Sequence, residues 1–313
     1  IGDNKDSLGI AIAGSYQDRS FSTDNVETGG NWDFDEPGLE EFEQRAYQVT
    51  RERTGLALNL DYRPSDTSQY YLRSLYSKFA DTEIRQGIIT EFEDPLAENT
   101  ASAGEVTREL KDRKETQEIQ AYMIGTEQTW QDWQLTIELG TSEASESQPF
   151  AIGGAQFVQS FDDGLGYRGV EQLQLLAPDR AYQAEGYNID EVEVSDAYTE
   201  ENADSLKVDL AYDWLQPSYQ VTFKGGMRIS RREKTAREDI FIVEDFDDLG
   251  VSALTLADYA TSNVDYGFDR FGPGISAAAL WGTLNTLVLT DFRDEVESRI
   301  AQYQIDEDIN AAY

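Results

Sequence analysis

The chain has 313 residues, and its 61 Asp plus Glu outweigh 25 Lys plus Arg to give a formal charge of −36. So acidic a chain excludes nucleic acid as a partner, because phosphate binding needs a basic surface. With neither Cys nor His, disulfides, thiol nucleophiles, histidine triads and Cys/His zinc sites are excluded as well. Mean hydropathy is −0.57, and no apolar run is long enough for a membrane helix. A membrane β-barrel escapes that test, since its strands are apolar only at alternate positions. The chain opens at Ile1 without a basic or apolar leader, which reads as a mature or excised segment. Ample Gly, Tyr and Phe with only 7 Pro favour β structure.

Period-2 alternation predicts eight strands, near 8–21, 44–62, 69–92, 105–126, 130–143, 201–215, 219–240 and 301–313. In the first, Leu8, Ile10 and Ile12 alternate with Gly9, Ala11 and Ala13. In the second, Leu56, Leu58, Leu60 and Tyr62 oppose Gly55, Ala57, Asn59 and Asp61. The fifth sets Trp133, Leu135, Ile137 and Leu139 against Gln134, Thr136 and Glu138. The sixth sets Leu206, Val208, Leu210, Tyr212 and Trp214 against Lys207, Asp209, Ala211 and Asp213. The seventh places Tyr219, Val221, Phe223 and Met227 opposite Gln220, Thr222, Lys224 and Arg228.

Short turns are expected at 63–68, 127–129 and 216–218, and long connections at 22–43, 93–104, 144–200 and 241–300. Successive hairpins would gather the short turns at one end and the long loops at the other. That is the asymmetry of an outer-membrane barrel, with short periplasmic turns and long extracellular loops. Tyr62, Trp130, Trp133, Trp214 and Tyr219 flank the short turns, as an interfacial aromatic girdle would. A soluble β-sandwich could use the same aromatics in its core. Against it stand a uniformly polar or small opposite face and strands well beyond the usual ~5–6 residues. The expected fold is therefore all-β, an antiparallel transmembrane β-barrel segment of about eight long strands forming one domain over 1–313.

Arg53-Thr54-Gly55-Leu56-Ala57-Leu58-Asn59-Leu60-Asp61-Tyr62-Arg63-Pro64-Ser65, followed by Tyr70 to Phe79, resembles the barrel of TonB-dependent receptors. Leu8 to Asn25 is similar to an earlier strand of that barrel, and Leu206 to Thr235 to a later hairpin. The resemblance implies a 22-stranded barrel filled by an N-terminal plug, importing scarce nutrients of the siderophore, cobalamin or glycan class. It implies the bacterial outer membrane as location, lipid and lipopolysaccharide as surroundings, and a small-molecule or oligosaccharide ligand. The TonB–ExbB–ExbD system would act through the plug. This sequence carries no plug and no TonB box, so the expectation is a piece of a larger barrel. A complete eight-stranded barrel, a passive porin and a soluble β-rich surface or adhesion module are the alternatives. An eight-stranded barrel has an interior only wide enough for side chains, and the small residues Gly9, Ala11, Ala13, Gly55 and Ala57 would leave it underfilled.

Little in the chain points to covalent chemistry, and neither an enzymatic role nor a cofactor is expected. Gly164-Leu165-Gly166-Tyr167-Arg168-Gly169 matches G-x-G-x-x-G but lacks the βαβ setting of a dinucleotide site, and reads as a glycine-rich loop. No carboxylate pair stands out as a glycosidase couple. Asp33 and Asp35, and again Asp245 and Asp247, form acidic loops with weak calcium character that miss the EF-hand template. Arg228, Arg231, Arg232, Lys234 and Arg237, with Lys111, Arg113 and Lys114, form basic clusters. Cross-strand pairing with carboxylates is preferred for them over contact with lipopolysaccharide phosphate. The loop aromatics Trp32, Phe34, Tyr167, Tyr187, Tyr266, Phe268, Phe271 and Trp281 are the ligand-contact candidates, with loop packing as the alternative. Polar Asn59, Asp61, Lys207, Asp209, Asp213 and Thr222 would line a wet lumen.

Overall fold

The computed structural model describes residues 7–28, 32–33, 35, 38–169, 173–244, 246, 250–251, 254–287 and 297–312. Eight long strands follow one another: β1 (Leu8–Glu27), β2 (Gly38–Ser65), β3 (Ser68–Leu96), β4 (Ser102–Trp130), β5 (Trp133–Arg168), β6 (Asn188–Gln216), β7 (Tyr219–Val243) and β8 (Glu297–Ala312). Each pairs antiparallel with its neighbour in sequence, in the order β1-β2-β3-β4-β5-β6-β7-β8. Short strands Trp32–Asp33 and Gln174–Leu176 add to β2 and β5. Among the described residues β1 pairs with β2 and β8 with β7, and no pairing joins β1 to β8. The sheet is therefore an open meander with two edges.

All eight expected strands are present, but most are longer than the alternation indicated. Two-residue turns at 66–67, 131–132 and 217–218 close the hairpins at one end. The second turn lies beyond the expected 127–129, because Trp130 pairs directly with Trp133 and Gln131 takes a positive φ of 56° to close the turn. At the other end the strands run on into segments expected to be loops. Only 97–101 separates β3 from β4, and β5 extends to Arg168. These extensions are rich in charge on one face, so their alternation is read by register rather than by hydropathy. The glycine-rich 164–169 segment is likewise not a free loop. Its Gly164–Arg168 part ends β5, and a Cβ on Gly166 would meet the Thr100 carbonyl oxygen at 2.1 Å.

Directly opposed residues share a face, so the register sorts every side chain. Ile10 opposes Leu60, Leu60 opposes Leu72, and Leu72 opposes Ile124. Ile124 opposes Leu139, Leu139 opposes Leu206, and Leu206 opposes Ile229. One apolar row thus crosses seven strands. Parallel rows through Leu58, Ile137, Val208 and Met227 widen it into a band. The intervening residues, from Ala11 and Asn59 to Lys207 and Arg228, form the opposite face. Irregularities in β4 and β5 keep this order. Ser147 opposes Thr116, Ile152 opposes Asp112 and Ala155 opposes Leu110. The phase of β5 therefore shifts twice and returns, holding Ile152, Ala155 and Phe157 on the apolar face.

The buried core lies at the long-connection end. There the apolar face carries Phe42, Ile88, Leu110, Ile152 and Phe157, all fully covered. The cover is a cap built from 173–187 and 254–287. It contains helix α1 (Leu256–Tyr259), a two-stranded ribbon of Ala260–Asn263 with Pro273–Ile275, and helix α2 (Ala277–Leu284). Ser276 caps α2 by accepting the Ala279 N–H, and the Ala-rich stretch continues it, as its composition predicts. Leu256, Tyr259, Phe271, Ile275, Leu280 and Leu284 bury their side chains against the sheet. Each such burial stabilises by roughly 1.5–3 kcal/mol relative to exposure. Polar ties fix the seat. Gln86 donates to and accepts from the Ile275 backbone at 2.9 and 2.8 Å, Trp281 donates to Asp112 at 2.9 Å, and Tyr266 donates to the Asn25 carbonyl at 2.7 Å.

Candidate functional site

The face opposite the apolar band is mostly polar or small, with Leu75, Ile119, Met123, Ile305 and Ile309 as exposed apolar exceptions in phase with Asn59 and Arg73. Near the short turns its charges alternate in sign across the strands. Arg73 on β3 pairs with Asp61 on β2 at 2.7 Å. Lys207 on β6 pairs with the directly opposed Glu138 on β5 at 3.0 Å. Lys224 on β7 reaches Asp209 on β6 at 3.2 Å, and Thr222 donates to Asp213 at 2.5 Å. Tyr71 completes this network by donating to Glu138 at 2.9 Å. Its ring lies against Gly125, where a Cβ would meet it at 2.3 Å. Glycine at that position is what admits the ring.

Towards the cap the same face continues as ion pairs. Arg51 meets Asp81 at 2.8 Å, Arg113 lies 3.5 Å from Glu83, and Arg85 pairs with Glu109. Between the two networks a depression of about 560 Å³ touches every strand from β2 to β8, lined by Asn59, Arg73, Ser142, Ser230, Arg232 and Glu307 among others. A second depression, of about 640 Å³, lies on the apolar face among Leu72, Ile124, Leu139, Leu206 and Ile229. A twisted sheet is dished on both faces along different diagonals. This polar face offers donors and acceptors of both signs. Asn59, Asp61, Lys207, Asp209, Asp213 and Thr222 all fall on this face, as the alternation indicated.

The loop aromatics are divided. Tyr187 is fully buried and donates to the Ala181 carbonyl at 2.8 Å. Tyr266 and Phe271 pack at 5.0 Å within the cap core, and Tyr167 is buried beside Phe92. Trp281 is half-buried through its tie to Asp112. Trp32 and Phe268 are each 38% exposed, Trp32 edge-on to Tyr167 and Phe268 edge-on to Tyr266. The structure thus assembles two aromatic groups, Trp32–Tyr167–Phe92 and Tyr266–Phe268–Phe271, and joins neither to the polar face. Phe34, Asp245 and Asp247 lie outside the described residues. Asp33 accepts the Asp35 N–H at 2.7 Å in a local turn. Among the described residues no three carboxylates converge as for a metal ion.

Of the basic clusters, Arg113, Arg232 and Arg237 meet carboxylates. Arg232 lies 3.1 Å from Glu201 and 3.7 Å from Glu307, and Arg237 pairs with Asp239. Register sets Arg231 between Asp204 and Asp308. Sequence reasoning missed Arg108. It is 1% exposed inside the cap core, donates to the Pro273 carbonyl, and lies 5.2 Å from the Phe271 ring. Burial pulls its pKa down to about 10. Its place between Val106 and Leu110, in phase with the apolar face, was the available signal. No protein-family model, curated protein or solved structure matches the chain.

Proposed function

We propose that the chain forms part of the wall of an outer-membrane β-barrel receptor for energised uptake of a scarce nutrient. The observation that carries the reading is the uncovered apolar band. Ile12 is 77% exposed and Leu56 54%, and Ile10, Ile124, Leu139, Phe223, Met227 and Ile229 are also exposed. A contiguous band over seven strands far exceeds the few hundred Å² of apolar patch usual on a soluble monomer. From Leu206 to Trp214 it spans roughly 27 Å along the strand at ~3.4 Å per residue. After a tilt of ~35–45° that is near the height of a barrel's lipid-facing band. Tyr62 and Tyr70, Trp133 and Tyr212, and Trp214 and Tyr219 pair at its short-turn border, and Lys78 with Glu118 at the other. The short turns would then be periplasmic and the cap extracellular. The resemblance of 53–79 to TonB-dependent receptors supports that reading, and implies TonB–ExbB–ExbD as the energy source, acting through a plug.

The test is the behaviour of the protein with and without detergent. The expected result is a β-rich, heat-modifiable species in micelles that stays with lipid vesicles after an alkaline carbonate wash. A monodisperse, folded protein in plain buffer would overturn the membrane assignment.

A further inference from the structure

A groove of about 730 Å³ runs between the cap and the outer parts of β1, β2 and β3. Its sheet wall carries Ser22, Asp24, Gln48 and Gln86, and its cap wall Thr261, Ser262, Asn263 and Asp265. Ala46, Ile84, Val264 and Ile275 supply small apolar patches between them. Ser276, Ala277 and Ala278, at the start of α2, close one end. The lining therefore holds carboxylate and amide acceptors, hydroxyl and N–H donors, and short apolar stretches, with neither Lys nor Arg. The volume is in the range of small-ligand sites.

Both walls are fixed before any ligand arrives. Gln86 clamps Ile275 from two sides, and Asp24 accepts the Gly267 N–H at 2.8 Å. Ser22, Gln48, Asn263 and Asp265 are not used in that clamp and are exposed to the groove. Preformed walls spare a ligand the ordering that binding would otherwise require.

We propose that this groove is a binding site for a neutral oligosaccharide. An anion is disfavoured by two carboxylates in a chain of charge −36. An apolar molecule would strand the amides and hydroxyls without partners. A sugar matches the lining, because each hydroxyl both donates and accepts while its C–H faces rest on apolar patches. The groove lies on the same face as the apolar band, well towards the cap from it, and away from the polar wall. It is thus separate from any passage along that wall, and it stands whether or not the sheet spans a membrane.

The experiment is calorimetry with saturation-transfer NMR on the full chain in micelles. The probes are maltotriose, cellotriose and chitotriose in solution, digalactosyl lipid in vesicles, and spermidine as a cationic control. Variants are Gln48→Ala and Asp265→Ala, whose side chains hold nothing else in place. At least one saccharide probe should bind, and each variant should weaken it about tenfold, the usual loss for one or two hydrogen bonds. A soluble trisaccharide binding alone marks a free glycan as the ligand, and binding confined to the vesicle marks a membrane glycolipid. Absence of binding by every saccharide overturns the proposal. So does binding that both variants leave unchanged, or spermidine binding that the variants abolish in place of saccharide binding. None of these results bears on detergent dependence, so the membrane reading stands or falls separately.

Discussion

Leu58→Arg tests the membrane reading most directly. Leu58 lies in the middle of the band, opposed by Ile12 on β1 and Ser74 on β3. An arginine at the mid-plane of a barrel's lipid face costs about 2–4 kcal/mol. That shifts the folded-to-unfolded ratio by roughly 30- to 700-fold. On an aqueous surface the same change would stay within about 0.5 kcal/mol. Asn59→Arg, one residue along and on the polar face, is the internal control, since the two differ only in the face they present. The assay is reversible denaturant unfolding in lipid vesicles, followed by tryptophan fluorescence. The expected outcome is a loss of about 2–4 kcal/mol for Leu58→Arg and less than about 1 kcal/mol for Asn59→Arg. Equal, small effects at both positions would refute the reasoning.

Gly125→Ala should destabilise by about 1–3 kcal/mol, since its methyl enters the space of the Tyr71 ring. In a Tyr71→Ala background most of that loss should vanish, and a double-mutant cycle with no coupling would remove the ring-over-glycine account. Arg108→Met should be neutral or stabilising, by up to about 4 kcal/mol, because it replaces a buried cation whose Nε and one terminal nitrogen lack partners. Denaturation midpoints check this, and a large loss of stability would mean that the guanidinium is better satisfied than its contacts indicate. Burial pushes the Tyr182 phenol up to about 12 from 10.0, and Tyr187 and Tyr266 upward also. A raised phenol favours the neutral folded form, so its contribution is complete below pH 10 and is lost as pH climbs through about 12. Phenolate difference spectroscopy should show the cap opening in that window, and ordinary tyrosine titration throughout would contradict it.

The eight strands and their two faces were legible because alternation is a local property that survives any register. Leu56-Ala57-Leu58-Asn59-Leu60 announces both faces within five residues. The extensions towards the cap were not legible, since residues such as Glu146, Glu191 and Glu193 become strand-like only when their partners across the sheet are known. The cap depends on contacts between distant residues. Gln44 with Arg270 and Gln86 with Ile275 leave no trace in either segment alone. The loop aromatics were visible as a set, but their division into buried Tyr187, Tyr266 and Phe271 and exposed Trp32 and Phe268 follows from where the cap docks. The groove under the cap was illegible for the same reason, because its two walls come from distant parts of the chain, Gln86 and Ile275 being 189 positions apart.

The nearest-neighbour strand order and the cap's distant ties differ sharply in the length of chain they close. Each hairpin closes a short loop, so the wall can zip up stepwise with little entropy lost at each step. The cap differs, for it must bring Gly267 to Asp24 and Arg270 to Gln44 across separations of 243 and 226 residues. Those ties are complete only when β1, β2 and β3 lie side by side. The cap is thus tied to the edge strand as well as to the interior of the sheet, and deleting β1 should remove the Asp24 and Asn25 ties while leaving those to Gln86 and Asp112.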